Sequence, residues 1–441
     1  MLGLAATGLA VAEALSADGI DVVVIDERPG PQAQINAQQL ETQGVSVLLA
    51  PDAQAVDRTL DTATLVVPSP GLTPTHPMLV DAARRGIPVR SEIDIAAERI
   101  HVPLVAITGT NGKTTTTELV TAMLRASGLT VACGGNIGTP LVSLCSVPSD
   151  VVVAEVSSFQ LHFTTSAWKP NAATVLNIAD DHLDWHGGFP AYRAAKARVF
   201  AHQSPNDTLV LNHDDPEVRG LAADARARVE WVTTSAGRGW HVADGALRRP
   251  DDSEIVPLVD LPRTLPHDLT NSLAASALAE AARATSDAVR ATLESYVTLP
   301  HRVQFIGENG GVRYYDDSKA TNPHAAVRAV SAFDSVVLLA GGLNKGLDLS
   351  ALREGEARIR GVVAFGAAAD EVVAAFEGHR PVVRATSMRD IVRTGAAMAR
   401  PGDAVLLSPG CASFDMYPGG YTDRGDDFAA EVRRLLEEEH A

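Results

Sequence analysis

Short apolar runs that end in glycine-rich or polar loops, each followed by a stretch of helical period, recur along the whole chain. That alternation predicts an α/β protein built on parallel sheets. Over residues 1–97 the strand signals are at 22–25, 45–49, 65–67 and 87–89, with a helix at 77–85. This is the pattern of a Rossmann-like nucleotide-binding domain. The turn at 3–8 (GLAATG) has only Met1 and Leu2 before it, so the first strand is expected to be truncated, with the true start upstream. A second set opens at 98. A strand at 104–108 runs into a loop and a helix from Lys113, with further strands at 151–155, 173–177 and 208–211. Mixed polarity over 228–257 predicts β-hairpins, and an alanine-rich helix is expected at 271–284. The third set, from 300, has strands at 313–316, 335–340, 362–365, 382–385 and 404–407 and a closing helix at 426–439. Three domains are therefore expected: a Rossmann-like domain at 1–97, a central P-loop-type domain at 98–299 and a second Rossmann-like domain at 300–441.

Composition removes several classes of function. With 441 residues, 46% hydrophobic and 21% charged, the chain has the balance of a globular protein. A formal charge of −17 argues against nonspecific binding to nucleic acid or an anionic membrane, so cations for an anionic ligand must be concentrated in a pocket. Cys133, Cys145 and Cys411 form neither a disulfide framework nor a zinc motif, which fits a reducing, cytoplasmic setting. The apolar stretch 2–15 has no basic flank and is interrupted by Glu13, so it reads as a βα start rather than a leader. No apolar run approaches the about 18 residues of a membrane span. Lysine is confined to positions 113, 169, 196, 319 and 345. Four of these lie in the motifs below, where a compact ammonium has a use that arginine cannot fill.

The sharpest motif is 105–117, VAITGTNGKTTTT. A strand, a loop Gly109-Thr110-Asn111-Gly112 and a helix opening on Lys113, Thr114 and Thr115 form a cradle of inward-facing amides at a helix N-terminus. Lys113 would reach the β- and γ-phosphates and the Thr114 hydroxyl a Mg2+ ion. The spacing departs from the usual phosphate loop, because Ile107 stands where the first glycine would be. Glu155 ends an apolar strand where α/β sheets bind ligands; it reads equally as a Mg2+ ligand or a salt-bridged strand end. In 177–186 (NIADDHLDWH), His182 is the functional candidate, whereas Asp180, Asp181 and Asp184 read as solvated loop or cap residues. Lys196, in a helical stretch, could be a surface lysine. The loops at 316–322, 339–348 and 408–421 each follow a strand and together suggest one binding face. Cys411 lacks an indicated base and is expected to be a buried structural thiol.

TGTNGKTT at 108–115, Glu155, the pair Asp181–His182, Lys196, Asn271, the pair His301–Arg302 and Asp317 occur in the order seen in the Mur ligases, the ATP-dependent amide-forming enzymes of peptidoglycan precursor synthesis. The chain resembles that family over essentially its whole length. SSFQL at 157–161 and DDSKATNP at 316–323 are similar to the members that add D-glutamate to UDP-N-acetylmuramoyl-L-alanine. The resemblance implies a UDP-substrate domain, an ATP-binding domain and an amino-acid-binding domain, in that order. It implies that Ala6, Thr7, Asp26 and Arg28 bind the uridine diphosphate and that Asn136 and Gln160 contact the muramoyl part. Gly109 to Thr115 with Asn271, His301, Arg302 and Asp317 would hold ATP. Thr114, Glu155, His182 and Lys196, the last as a carbamate, would organise two Mg2+ ions. Lys319, Thr321, Lys345, Ser413 and Tyr421 would receive D-glutamate. Lys113, His182 and Lys196 are the expected catalytic groups, in a cytoplasmic monomer. The chain departs from common family residues at Ala5, Asp268 and Tyr421. Two other readings stay open: a Mur-type or folate-type ligase for another amino acid, and a P-loop regulatory NTPase.

Overall fold

The computed structural model describes residues 1–237, 239–297 and 300–440. The chain forms two compact units. One comprises Met1–Ile178, Trp185–Thr264 and Asp268–Tyr296, the other Ala179–Asp184, Leu265–His267 and Val297–Ala441. The first unit carries two sheets. The expected division at 97/98 falls just after the helix Glu92–Ala97, and that at 299/300 touches residues 298 and 299, outside the described residues.

In the first sheet, β1 (Val23–Asp26) and β2 (Ser46–Leu49) pair in parallel. Leu2 bridges to Ile25 and Pro68, and Val66 bridges to Val89. The strands expected at 65–67 and 87–89 are thus reduced to isolated bridges. The cause is local: Pro68 and Pro88 have no N–H, so the ladder stops after Val66 N donates to Pro88 O (2.9 Å) and Arg90 N to Val66 O (3.0 Å). Leu2, Ile25, Leu60, Val66, Met78 and Leu79 fill the core beneath.

The larger sheet has nine strands: β3 (Leu104–Thr108), β4 (Val131–Gly135), β5 (Val151–Glu155), β6 (Ala172–Val175), β7 (Thr208–Asn212), β8 (Arg228–Thr233), β9 (Trp240–Ala243), β10 (Ala246–Arg248) and β11 (Glu254–Pro257), in the order β11-β10-β9-β8-β7-β6-β3-β5-β4. Pairing is parallel from β4 to β9 and antiparallel from β9 to β11, which supplies the expected hairpins. Asp244 and Gly245, both with positive φ (49° and 71°), make the turn between β9 and β10. The alanine-rich helix spans Pro266–Ala281, starting earlier than expected because proline suits a first helical turn. Its Leu273, Ala274 and Leu278 pack against Ile107, Val120 and Leu124 under the sheet.

The second unit contains β12 (Gln304–Asn309), β13 (Val312–Asp316), β14 (Val336–Gly341), β15 (Ile359–Phe365), β16 (Val382–Arg384) and β17 (Ala404–Gly410), ordered β12-β13-β17-β14-β15-β16. All pairings are parallel except that of β12, an antiparallel edge strand the sequence did not announce. Along β14, Leu338 and Ala340 enter one core with Val330 and Phe376, while Val337 and Leu339 enter another with Ile391 and Phe428. Burial on both faces explains the unbroken apolar runs. The closing helix is longer than expected, Tyr421–His440. Among the described residues no helix is long and apolar enough to cross a membrane.

Two acids on the helix Glu92–Ala97 tie it into the first unit. Asp94 accepts from Thr165 N and Oγ1 (2.8 Å each), and Glu92 accepts from Val142 N (2.7 Å) and Gln160 Nε2 (3.5 Å). Burial pushes the Glu92 carboxyl up to about 7. Its ionised form is therefore disfavoured in the folded state, and stability declines as pH rises from the unfolded value of about 4.3 through about 7. Glu92→Gln keeps an acceptor for Val142 N. It should melt several degrees above the parent near pH 8, with the difference vanishing near pH 4 in a pH series of thermal melts.

Candidate active site

The loop after β3 is built as the sequence pattern requires. Gly112 has φ +84°, and a Cβ there would lie 2.4 Å from Asn271 Oδ1, so only glycine lets the loop rest on Asn271. Asn177, just beyond β6, staples the loop from the side. Its carbonyl accepts from Thr110 N (2.9 Å), its Oδ1 from Asn111 N (2.8 Å), and its Nδ2 donates to Asn111 O (3.0 Å). Sequence reading did not single out Asn177; its position at a strand end was the available signal. Lys113 Nζ donates to Gly109 O and Thr110 O, both at 3.0 Å, which holds the ammonium against the loop. Thr114 is half-buried and Thr115 buried at the start of the helix Lys113–Ala126. Lys196 is buried rather than on the surface. Its Nζ donates to Gly109 O (2.8 Å) and lies 4.7 Å from the centre of the Tyr192 ring. Both lysines thus converge on one carbonyl.

Glu155, at the end of β5, is buried. Its Oε1 accepts from Asn136 Nδ2 (2.8 Å), while Oε2 has no hydrogen-bond partner among the described residues. A buried carboxylate oxygen without a donor is costly, and a divalent cation would satisfy it. Carboxylate and hydroxyl oxygens suit Mg2+, which keeps several waters. Glu155 and Thr114 fit that role, and among the described residues no cluster of three or more His, Cys, Asp or Glu forms a metal site of another kind. Gln160 is occupied internally: its Oε1 accepts from Ser157 N and Oγ (3.0 Å each), closing a capping box on the helix Ser158–His162. It is buried.

In the first sheet, Ala6 and Thr7 open the helix Ala6–Ala17. Asp26 Oδ2 accepts from Leu4 N (2.8 Å) and Oδ1 from Arg28 N (3.0 Å), so Asp26 shapes the loops that would face a nucleotide, with Arg28 exposed beside it. The buried Asn36 adds a bond from Nδ2 to Leu4 O (3.0 Å), a support sequence reading missed.

In the second unit the polar loops do share one sheet edge. Asp316 Oδ2 and His301 Nδ1 are 2.6 Å apart, and the hydrogen bond to Asp316 raises the His301 pKa. His301 has a φ of +64°, a strained conformation for a residue with a side chain. Asp317 accepts from Ser408 Oγ (2.7 Å) and Val303 N (3.3 Å), and burial pushes its carboxyl up to about 7. Arg302, next to His301, is half-buried. Lys319 Nζ lies 4.0 Å from the centre of the Tyr421 ring, a cation–π contact. Thr321 is half-buried and Ser413 buried on the same edge. Asp181, expected as a solvated residue, is instead buried. It pairs with Lys345 Nζ (3.3 Å), accepts from Asn322 Nδ2 (3.4 Å) and lies 3.6 Å from His182 Nε2. An ion pair to Lys345 is what makes that burial affordable.

Arg424, which sequence reading also missed, is fully buried. It donates from Nε to Ser318 Oγ (2.9 Å), from Nη2 to Ser318 O (2.7 Å) and Cys411 O (3.2 Å), and from Nη1 to Cys411 O (3.2 Å) and Ala412 O (3.3 Å). Burial lowers its pKa to about 10. A lone arginine in a helix carries no sequence signal of such a clamp. Cys411 is buried and its thiol is pushed up to about 12, as expected of a structural cysteine.

A phosphate loop at the C-terminal edge of a parallel sheet, flanked by a buried carboxylate with an unpartnered oxygen, defines a P-loop nucleotide-binding enzyme. Three family descriptions match: the Mur ligase MurD-like N-terminal domain over residues 1–91, the Mur ligase middle domain over 107–279 and the Mur ligase, glutamate ligase domain over 301–411. The chain belongs to the Mur ligase family. It is 43% identical over 448 residues to the UDP-N-acetylmuramoylalanine–D-glutamate ligase of Frankia casuarinae, covering 98% of this chain and 93% of that one. It is 38% identical over 462 residues to the enzyme of the same name from Thermobifida fusca, covering 98% and 97%. Among solved structures, MurF from Acinetobacter baumannii has the same fold (TM-score 0.63, 18% identity, 92% of this chain and 90% of that one). So does UDP-N-acetylmuramate–alanine ligase from Thermotoga maritima (TM-score 0.59, 16% identity, 99% and 98%).

Proposed function

We propose that this chain joins D-glutamate to the L-alanyl carboxylate of UDP-N-acetylmuramoyl-L-alanine in peptidoglycan synthesis, converting ATP to ADP and phosphate. The observation that carries the reading is the Lys113 ammonium held against the loop carbonyls of Gly109 and Thr110, in a chain whose near-full-length relatives carry that ligase name. The acceptor carboxylate attacks the γ-phosphorus and the bond to ADP breaks. Lys113 and the loop amides neutralise the charge that develops on the transferring group. The amine of D-glutamate then attacks the acyl carbon, and phosphate leaves. Mg2+ supplies further charge neutralisation when bound. Glu155 and Thr114 would hold one ion, and His182 and Lys196, the latter as a carbamate, would complete a pair of metal sites.

In the same reading Asn271, His301, Arg302 and Asp317 serve ATP. Ala6, Thr7, Asp26 and Arg28 serve the uridine diphosphate, and Asn136 the muramoyl part. Gln160 also contacts the muramoyl part, and its bonds to Ser157 fix the start of the helix Ser158–His162. Lys319, Thr321, Lys345, Ser413 and Tyr421 receive the two carboxylates of D-glutamate. The domains are 1–97, 98–299 and 300–441, and the chain works as a cytoplasmic monomer.

The test is phosphate release from ATP with Mg2+ and UDP-N-acetylmuramoyl-L-alanine against a panel of amino acids, with product masses recorded. D-glutamate alone should stimulate release and give the amide. Stimulation by a different amino acid would move the chain to another Mur-type or folate-type specificity. Release independent of every amino acid would favour a regulatory NTPase.

A further inference from the structure

The order of the large sheet sets β3, with its phosphate loop, between β5 and β6. The segments that follow β5 and β6 nevertheless meet. His186 Nε2 and Ser158 Oγ share a hydrogen bond of 3.0 Å, and both residues are buried. The His186 ring is stacked with Phe159 (centroids 5.7 Å apart, planes at 14°), and Trp185 packs on Phe159 at 4.7 Å. On its other side His186 meets the Tyr192 ring edge-on at 5.3 Å, and the Tyr192 hydroxyl bonds Thr110 Oγ1 at 2.9 Å. A continuous run of packed and hydrogen-bonded groups therefore joins the turn at 157–159 to the phosphate loop.

We propose that His186 is a positioning residue that holds the turn carrying Ser158 at a fixed place relative to the phosphate loop. The proposal rests on the ligase reading, in which the turn at 157–158 lies on the acceptor side and the loop grips ATP. The reacting carboxylate must then approach the γ-phosphorus within a few tenths of an ångström of the productive distance. Small misplacement costs rate rather than affinity, and loss of one buried hydrogen bond corresponds to a factor of up to about ten. The aromatic neighbours supply rigidity, since neither ring can turn without displacing the other.

The variants His186→Phe, which keeps a ring and removes the bond, and Ser158→Ala, which removes it from the other end, are compared singly and together. The expected result is a kcat lower by about tenfold in each single variant, with KM for ATP and for D-glutamate within about twofold and a melting temperature lower by only a few degrees. The double variant should lose no more than the worse single one, because both remove the same bond. Hydrogen–deuterium exchange on the free protein should speed up at amides 110–112 and 157–160 in either variant. The proposal is overturned if kcat stays within about twofold, if the losses multiply in the double variant, or if exchange in those segments is unchanged. Should His186→Phe not fold, Ser158→Ala carries both measurements. If the parent protein forms no product with D-glutamate, the ligase reading falls, and exchange still decides whether the bridge exists.

Discussion

Replacing Lys113 by methionine should lower the rate of amide formation by about two to three orders of magnitude. The side chain keeps its unbranched shape and most of its length and loses its charge, so the cost falls on the transition state rather than on the fold. The ammonium is already bonded to Gly109 O and Thr110 O, so it need not be recruited as charge develops on the transferring phosphoryl group. Steady-state product formation, set beside thermal melts of both proteins, is the measurement. A variant that melts like the parent and turns over within about tenfold of it would remove Lys113 from the chemistry.

The second large effect is expected at Lys196, where two chemistries compete for one side chain. As an ammonium it clamps the phosphate loop, through Gly109 O and the Tyr192 ring. As a carbamate it would be an anion able to serve Mg2+. Lys196→Ala should lose about a hundredfold or more in turnover under either chemistry, since it removes either a clamp on the phosphate loop or a metal-serving anion and leaves a gap in the core. Rescue separates them. Acetate or propionate can restore an anion and cannot donate to Gly109 O, whereas a small alkylamine does the reverse. Recovery with the carboxylate is the expected result; recovery with the amine alone would assign the ammonium role, and undiminished activity without any additive would discard both.

What could be read beforehand follows from how local the cause is. The phosphate loop was legible because a strand, two glycines, a lysine and a helix start sit within a dozen or so consecutive residues, and each has a backbone reason to be there. The buried strands β14, β15 and β17 were legible because burial on both faces leaves an unbroken apolar run. The apolar stretches at 65–67 and 87–89 carry a strand signal, yet only a bridge between Val66 and Val89 forms, because Pro68 and Pro88 lack the N–H groups a ladder needs. Strand β12, half-exposed with Phe305 facing out, has no such run and went unseen. Asp181 carries no sequence sign of burial because its partner Lys345 lies 164 positions along the chain, and Asn177, His186 and Arg424 owe their importance to neighbours 66, 28 and 106 positions away.

The guanidinium of Arg424 makes one further point about how this protein can change. Because a single planar group grips the backbone at Ser318, Cys411 and Ala412, those two stretches of main chain cannot drift apart separately. If these loops receive the amino acid, as proposed, new preferences would arise by swapping side chains on a rigid frame. Lengthening or reshaping either stretch would strand a buried cation, so insertions there should be the rarest tolerated edits.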